Sequence, residues 1–504
     1  MLLRKLFANI SRVVDLFTTI LFLPISMSAI CTRSLLLIVL MVHSGIAQQG
    51  NEKTLSTRVS QKRLLSTVRE LVAIGPRMGG TPSGDKSVRY LVQRLKTLGL
   101  SVEVVEEPAK LTFINHSWSL RVDQPRGLRN LIKREWLGGF SPSVPPSRSQ
   151  LELWPLPEAV PDDSIRGKAF LLETPISSKA YLRLVEHGAT CLLLGSPYLD
   201  GAYSDWAYIT DLSPSERNAI PLFNLSFNNA LILKNTLEEG IPVVMSFSSQ
   251  VTIAPGAPRT IVATLKGASD KYYIVCAHGD SDSGGPGADD NASGVAGVLE
   301  LAHVLNGMVR SGHLPKPAFT IKFIIWGSEI YSTEHYVRTH QETLENILGV
   351  LNYDEIGTGV SRNCIYFESN DVEHNEKLLR TLEGVGEEFV GKKGFWDEAT
   401  TNPSQGGTDS YVFLPHWLAR LDLPKVEIPS VTVFTGAWNE LKTLPQTEGW
   451  SSKAWQGHPD SVVVDFSAYY HSSLDTPSRT TEKEPFNMVW AVKAVGIALL
   501  RLAW

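Results

Sequence analysis

Residues 272–294 read YYIVCAHGDSDSGGPGADDNASG. Tyr273, Ile274, Val275 and Cys276 form an apolar, β-prone run that reads as a buried strand; it ends at His278, with Asp280 two residues on. A glycine-rich loop follows and closes on Asp289, Asp290 and Asn291. There a new apolar period (Val295, Val298, Leu299, Ala302, Leu305) predicts a helix. An imidazole at a strand end and a carboxylate at the start of the next helix are donors held on rigid elements, as a metal site requires.

Downstream, strands alternate with helices, which predicts an α/β sandwich. Strands are expected at 260–265, 272–277, 318–326, 347–353 and 431–435, and helices at 292–309, 333–346, 375–387 and 486–502. The last helix is apolar enough to tempt a membrane reading, but Lys493 interrupts it and Arg501 ends it, so it is expected inside the protein. Three more acids and bases recur at element ends. Glu329 follows the strand ending Phe323, Ile324, Ile325, Trp326; Asp354 follows the strand at 350–353; His471 lies in YYHSSLDT. Singly, a strand-end aspartate is a turn former and a lone histidine a structural residue. Together they point to a site, because the C-terminal ends of parallel strands share one edge and bring distant residues to one crevice.

Upstream, residues 145–250 change to short apolar strands separated by turns, with strands at 169–172, 190–194 and 220–223 and helices at 180–187 and 228–237. No catalytic cluster occurs there. This predicts an inserted, β-rich α/β domain at 145–255, dividing the main domain into 60–144 and 256–504. Before the insert, Leu64, Leu65, Val68, Leu71 and Val72 mark an amphipathic helix stopped at Gly75 and Pro76. The turn-rich RMGGTPSG follows, then a helix carrying Val88, Leu91, Val92, Leu95 and Leu98 that Gly99 stops, then an alternating strand at 101–105. Residues 48–60 are polar and read as loose.

Residues 1–47 hold two apolar runs. The first, 13–25, carries Asp15 and Pro24 and makes a poor membrane helix. The second has Arg33, then SLLLIVLMV, then the small residues Ser44, Gly45 and Ala47, the pattern of a secretory signal peptide with Met27 as a natural start and 1–26 as an upstream extension. A signal anchor, which would leave a membrane tether, is the alternative. Cleavage at Ala47 leaves Cys191, Cys276 and Cys364, so at most one disulfide can form and the fold must rest on its core. Asn115 (NHS) and Asn224 (NLS) are candidate glycan acceptors; Asn291 fits the pattern but is expected bare inside the site. A net charge of -5 over 504 residues predicts no nucleic-acid partner.

HGD with GADDNASG, then WGSE, LNYDEIG and YYHSSLDT resemble the zinc-dependent exopeptidase family of secreted bacterial aminopeptidases and plasma glutamate carboxypeptidase. That family also includes glutaminyl cyclases and the catalytically dead transferrin receptor. IRGKAFLLE, HGATCLLLG and IPLFNLSF resemble, less closely, a protease-associated domain. The resemblance implies a three-layer α/β sandwich around a mixed, mostly parallel sheet, two zinc ions, and a secreted exopeptidase acting on a peptide substrate. By it, His278, Asp290 and Asp354 match the ligands of one zinc. Asp290, directly before the small-residue helix start, matches the carboxylate that bridges to a second zinc, whose histidine would be His471. Asp280 matches the residue that holds His278 in the correct tautomer. Glu329 matches the general base, which takes a proton from the attacking water and passes it to the leaving amine. Asp475 and Thr476 are expected to shape the turn that presents His471.

The chain departs from the family at one ligand. The motif has two adjacent glutamates, the second a ligand of the second zinc, and here Glu329 is followed by Ile330. The glycine-rich loop that normally follows is shortened. Either Glu329 swings in as a ligand and leaves the base vacant, or Glu334 substitutes, or the second site is weak and one zinc serves. GGTDSYVF keeps the aspartate of the usual SDH triplet as Asp409 but has Ser410 for its histidine. Hydrolysis of a terminal peptide bond is the expected activity, with amino- and carboxypeptidase action both open. The rival is a pseudopeptidase that keeps the scaffold as a binding protein; Ile330 argues for it, and the retained His278, Asp280, Asp290, Glu329, Asp354 and His471 argue against it.

Overall fold

The computed structural model describes residues 48–504 except 134, 155–161, 175, 196–208, 211–217, 282–283, 359–362, 370–375, 404–406, 424–425 and 436–468. The expected signal segment therefore lies outside the described residues. Residues 48–58 are helical rather than loose.

Eight strands form the main sheet, in the spatial order Ser101–Glu106, Arg259–Leu265, Phe319–Trp326, Ser269–His278, Ile347–Tyr353, Ser430–Phe434, Cys364–Ser369, Glu398–Pro403. The four central strands, from Phe319–Trp326 to Ser430–Phe434, run parallel. The strand on either side of these four pairs antiparallel. Central strands are covered on both faces, which is why YYIVCA is a continuous apolar run rather than an alternation. Tyr272, Ile274 and Cys276 pack with Trp326, Tyr336, Val337, Val412, Phe413 and Leu418. The opposite face is covered by helices Gly294–Arg310, Glu376–Phe389 and Phe486–Ala503, and Gln61–Val72 packs against the first and last of them. The result is the three-layer α/β sandwich. Helix Phe486–Ala503 is mostly buried, and the Lys493 ammonium inside it is satisfied by donating to the Gly394 carbonyl at 2.7 Å.

A second sheet has seven strands, in the order Lys110–Gln124, Val243–Gly256, Val144–Leu153, Lys168–Leu172, Cys191–Gly195, Leu222–Leu225, Trp136–Leu137. Helix Phe227–Glu238 covers one face through Phe227, Ala230 and Leu233, and helix Ser178–Glu186 contributes Ala180, Tyr181 and Leu184 to a separate apolar cluster. The chain leaves the main sheet after Glu106 and rejoins it at Arg259, its direct partner in the register, with Glu107 N–H donating to Pro258 O at 3.0 Å between them. The excursion thus begins near 107 rather than at 145. Its first long strand, Lys110–Gln124, pairs antiparallel with Val243–Gly256 along its whole length, a long-range pairing that local patterning does not reveal.

Candidate metal centre

The rim formed by the C-terminal ends of the parallel strands gathers the acids and imidazoles. His278 is the last residue of its strand, in register with Trp326; Glu329 lies three residues beyond Trp326; Asp354 follows Tyr353. Asp290 sits just ahead of helix Gly294–Arg310, in an irregular turn where its own backbone is extended (φ -103°, ψ 97°). The glycines of that turn are there by necessity. Gly287 has φ +56°, and a Cβ on it would meet Asp290 O at 2.5 Å; a Cβ on Gly294 would meet Asn291 Oδ1 at 2.2 Å.

His278 is buried, with Nδ1 3.2 Å from Asp280 Oδ1, so the proton is assigned to Nδ1 and the lone pair to Nε2. That Nε2 faces two carboxylate oxygens, Asp290 Oδ1 at 3.2 Å and Asp354 Oδ1 at 3.5 Å. His278 Nε2 and Asp354 Oδ1 are both buried and make no hydrogen bond. Buried polar atoms without partners are costly, and here they face one another around a common point, an arrangement a cation resolves. Single donor atoms of His278, Glu329 and Asp354 also lie within 4.8 Å of one another. On the other side of Asp290, Oδ2 is 2.9 Å from His471 Nε2. All six expected site residues therefore meet at one rim, and Asp290 reaches both imidazoles. Asp289 turns away, accepting the Gly357 N–H at 2.6 Å.

The electrostatics have the same origin. Burial opposes charge on His278, but Glu329, Asp280, Asp290 and Asp354 outweigh it and raise its pKa well above the usual imidazole value. Burial, helped by the charges of Asp354, Asp290 and Asp409 against the opposing His278, pushes Glu329 well above the ordinary glutamate range. Burial acts on Asp290 too, but His278 and His471 overcome it and hold that carboxyl below the usual range. Such a concentration of carboxylates around one imidazole is the charge a divalent cation neutralises.

Several supporting residues escaped sequence reading. Asp475 does more than shape a turn: its carboxylate accepts the N–H groups of Asp289 (2.7 Å) and Asp290 (3.0 Å). Thr408 donates to Asp354 Oδ2 at 2.6 Å and receives Asn352 Nδ2 at 2.8 Å. Asp409, which burial pushes up to about 7, accepts the Ile330 N–H at 2.9 Å and the Thr333 hydroxyl. Arg77, buried within RMGGTPSG, donates to Pro286 O (2.9 Å) and Gly287 O (2.7 Å) and so clamps the loop ahead of Asp289. These partners come from loops whose spacing carries no periodicity.

Ile330 is the local anomaly. Its φ is +58° with ψ -50°, a rare conformation for a β-branched residue, and its side chain packs on the apolar cluster beneath the sheet rim. Glu334 does not take its place among the acids; its Oε1 accepts Trp417 Nε1 at 2.8 Å. The two remaining sequence expectations concern glycans. Asn224 is fully buried in strand Leu222–Leu225 and is no acceptor in the folded chain. Asn291 is also buried, donating to Tyr353 O at 2.9 Å, as its place in the site predicts.

A mixed sheet with imidazoles and carboxylates converging at the parallel strand ends defines a metallopeptidase layout. Residues 260–495 match peptidase family M28, and together with the aminopeptidases among its relatives this match supports a metallo-exopeptidase. The chain is 24% identical over 465 residues to a probable lipoprotein aminopeptidase of Mycobacterium tuberculosis, covering 86% of this chain and 84% of that one. A probable zinc metalloprotease of Pyricularia oryzae is 36% identical over 128 residues, 23% of this chain and only 24% of the fungal protein. Among solved structures, an M28 peptidase precursor from Shewanella amazonensis superposes with a TM-score of 0.62 at 18% identity, covering 90% of this chain and 97% of that one. The aminopeptidase from Aneurinibacillus gives 0.54 at 18% identity over 90% and 96%. At these identities the two structures speak for the fold.

Proposed function

We propose that the protein is a secreted or membrane-tethered zinc aminopeptidase in which His278, Asp290 and Asp354 hold a zinc ion and Glu329 is the general base. The observation that supports this reading is the pair of buried, unpartnered donor atoms, His278 Nε2 and Asp354 Oδ1, with Asp290 Oδ1 beside them. When bound, zinc supplies a Lewis acid that polarises a peptide carbonyl and lowers the pKa of water toward about 7. Asp280 keeps the His278 lone pair directed inward. Glu329 takes the proton of the attacking water and delivers it to the leaving amine, and its raised proton affinity suits a group that must accept one.

A second zinc would find Asp290 Oδ2 and His471 Nε2 but no carboxylate at position 330. We infer one tight and one weak zinc. The aminopeptidase assignment follows the names of the relatives, and the leader-like segment at 33–47 supports export. The two apolar clusters of the second sheet support its reading as a protease-associated type of insert, here spanning about 107–258.

Zinc analysis of the purified protein beside a panel of aminoacyl and dipeptide substrates tests the assignment. Tightly held zinc with chelator-sensitive release of N-terminal residues is the expected result. Zinc without turnover across the panel would leave the pseudopeptidase reading, which Ile330 favours. Absence of tight zinc binding would sink the zinc peptidase assignment and likewise leave the pseudopeptidase reading.

A further inference from the structure

The turn that carries Glu329 is held in an unusual way. Four consecutive backbone N–H groups are each received by a side chain: Gly327 by Thr260 Oγ1 (3.0 Å), Ser328 by Ser332 Oγ (2.7 Å), Glu329 by Asp280 Oδ1 (3.0 Å) and Ile330 by Asp409 Oδ1 (2.9 Å). The last two acceptors belong to the site already described. The first two are hydroxyls, and both donate to one carboxylate, that of Glu107: Thr260 to Oε1 and Ser332 to Oε2, each at 2.6 Å. Glu107 is buried, and it stands where the chain leaves the main sheet for the second one. Lys110, three residues on, donates to the Ser328 hydroxyl, and Pro108 O receives the Tyr331 hydroxyl at 2.9 Å. The root of the excursion is thus bonded to the turn on both sides of Glu329.

We propose that Glu107 is a positioning residue for Glu329, fixing the turn through the Thr260 and Ser332 hydroxyls so that the Glu329 carboxylate is held against the metal centre. The chemistry selects a carboxylate. Each hydroxyl must accept a backbone N–H and so must give its own proton away; only a group that accepts at both ends lets both hydroxyls do this at once. An amide at 107 presents a donor to one of them and leaves that hydroxyl proton without an acceptor. Neither a thiol nor a shorter acid spans both. The reason to hold the turn so firmly is Ile330: its left-handed φ is strained for a β-branched side chain, and such a conformation persists only where the surroundings over-determine it. Glu107 also lies outside the segment matching the peptidase family, so the second sheet's root contributes to the geometry of the catalytic turn.

This inference rests on Glu329 being the general base, and the experiment separates the two. Glu107→Gln, Ser332→Ala and Glu329→Ala are made singly, together with the double variant Glu107→Gln/Glu329→Ala, in the zinc-loaded full-length protein. Glu107→Gln is expected to lower kcat by roughly 10- to 100-fold, the scale for displacing a catalytic group by about 1 Å, with KM and zinc content unchanged. Ser332→Ala, which cuts one arm, should show a smaller loss of the same kind, and Glu107→Asp none of the rescue that a mere negative charge would give. In the double variant Glu107→Gln should add no further loss, because it acts through Glu329. Wild-type kcat in Glu107→Gln, or a loss that appears only as lower zinc content, a higher KM or full additivity with Glu329→Ala, would overturn the proposal. Full turnover in Glu329→Ala alone would instead overturn the general-base assignment.

Discussion

Asp290 has two sides, and they are not equally equipped. Its Oδ1 looks toward His278 and Asp354, where buried donor atoms stand without other partners. Its Oδ2 looks toward His471, and position 330, where the family motif has a further ligand, is an isoleucine packed against the apolar cluster. The first side has three donors, two at strand ends and one in the turn ahead of helix Gly294–Arg310. The second has two, and His471 comes from a loop with φ +45° rather than from a strand end. The difference teaches that one side of such a cluster can lack a donor without disturbing the other, because each side chain is anchored by its own strand or turn.

The most drastic way to break the comparison is to remove the shared carboxylate. Asp290→Ala should abolish zinc binding on both sides and turnover with it, read by metal analysis after dialysis; a variant that keeps its full zinc content refutes the bridging role. Glu329→Gln should leave zinc in place and lower kcat by about 10²–10⁴-fold, the usual contribution of a general base. If Glu329 were a zinc ligand standing in for the missing acid, zinc would fall too, so metal content and kcat together decide between the two roles. Ile330→Glu sharpens the contrast by supplying the absent donor. It should tighten the weaker zinc by at least about tenfold in a competition titration while leaving the tighter one unchanged.

An effect on stability rather than on the metal concerns Asp409, whose folded pKa of about 7 stands above the unfolded value near 3.9. An acid with a raised folded pKa favours the fold below its unfolded pKa and loses that contribution as pH rises through the folded value. Metal-free protein should therefore lose stability from about pH 4 to about pH 7 through this group, by up to about 1.4 kcal/mol per pH unit. Asp409→Asn, which cannot ionise, should flatten that part of the slope in denaturant titrations at pH 5 and 7.5. An unchanged slope would mean that Asp409 is already ionised at pH 5 and that its folded pKa is not raised.

The two sheets carry a second contrast. The second sheet closes two apolar clusters around its helices, and among the described residues no group of acids and imidazoles converges there. The main sheet places polar residues at the ends of strands whose middles are mostly apolar. That division was legible in the chain. The runs YYIVCAH, FIIWGSE and LNYD each finish on a residue of the site, and a two-residue spacing ties Asp280 to His278. Local period and element ends suffice to read such features. Local patterning does not pick out the strands Cys364–Ser369 and Glu398–Pro403, and the predicted helix at 333–346 is broken at His340, with Tyr331–Thr339 helical and Gln341–Asn346 a tighter turn.

The sequence by itself pointed to the sandwich, to the rim, and to His278, Asp290, Glu329 and Asp354 as candidates near the ends of periodic elements, while Asp280 and His471 were picked out by the HGD and YYHSSLDT motifs. Only the tertiary structure decided that Asp475 caps the Asp290 turn, that Arg77 clamps the loop before it, that Glu334 is engaged by Trp417, and that Glu107 reaches the Glu329 turn. Those contacts join segments up to 225 residues apart through single side chains. Chain position constrains such pairs weakly; the packing of the sheet brings them within hydrogen-bonding distance.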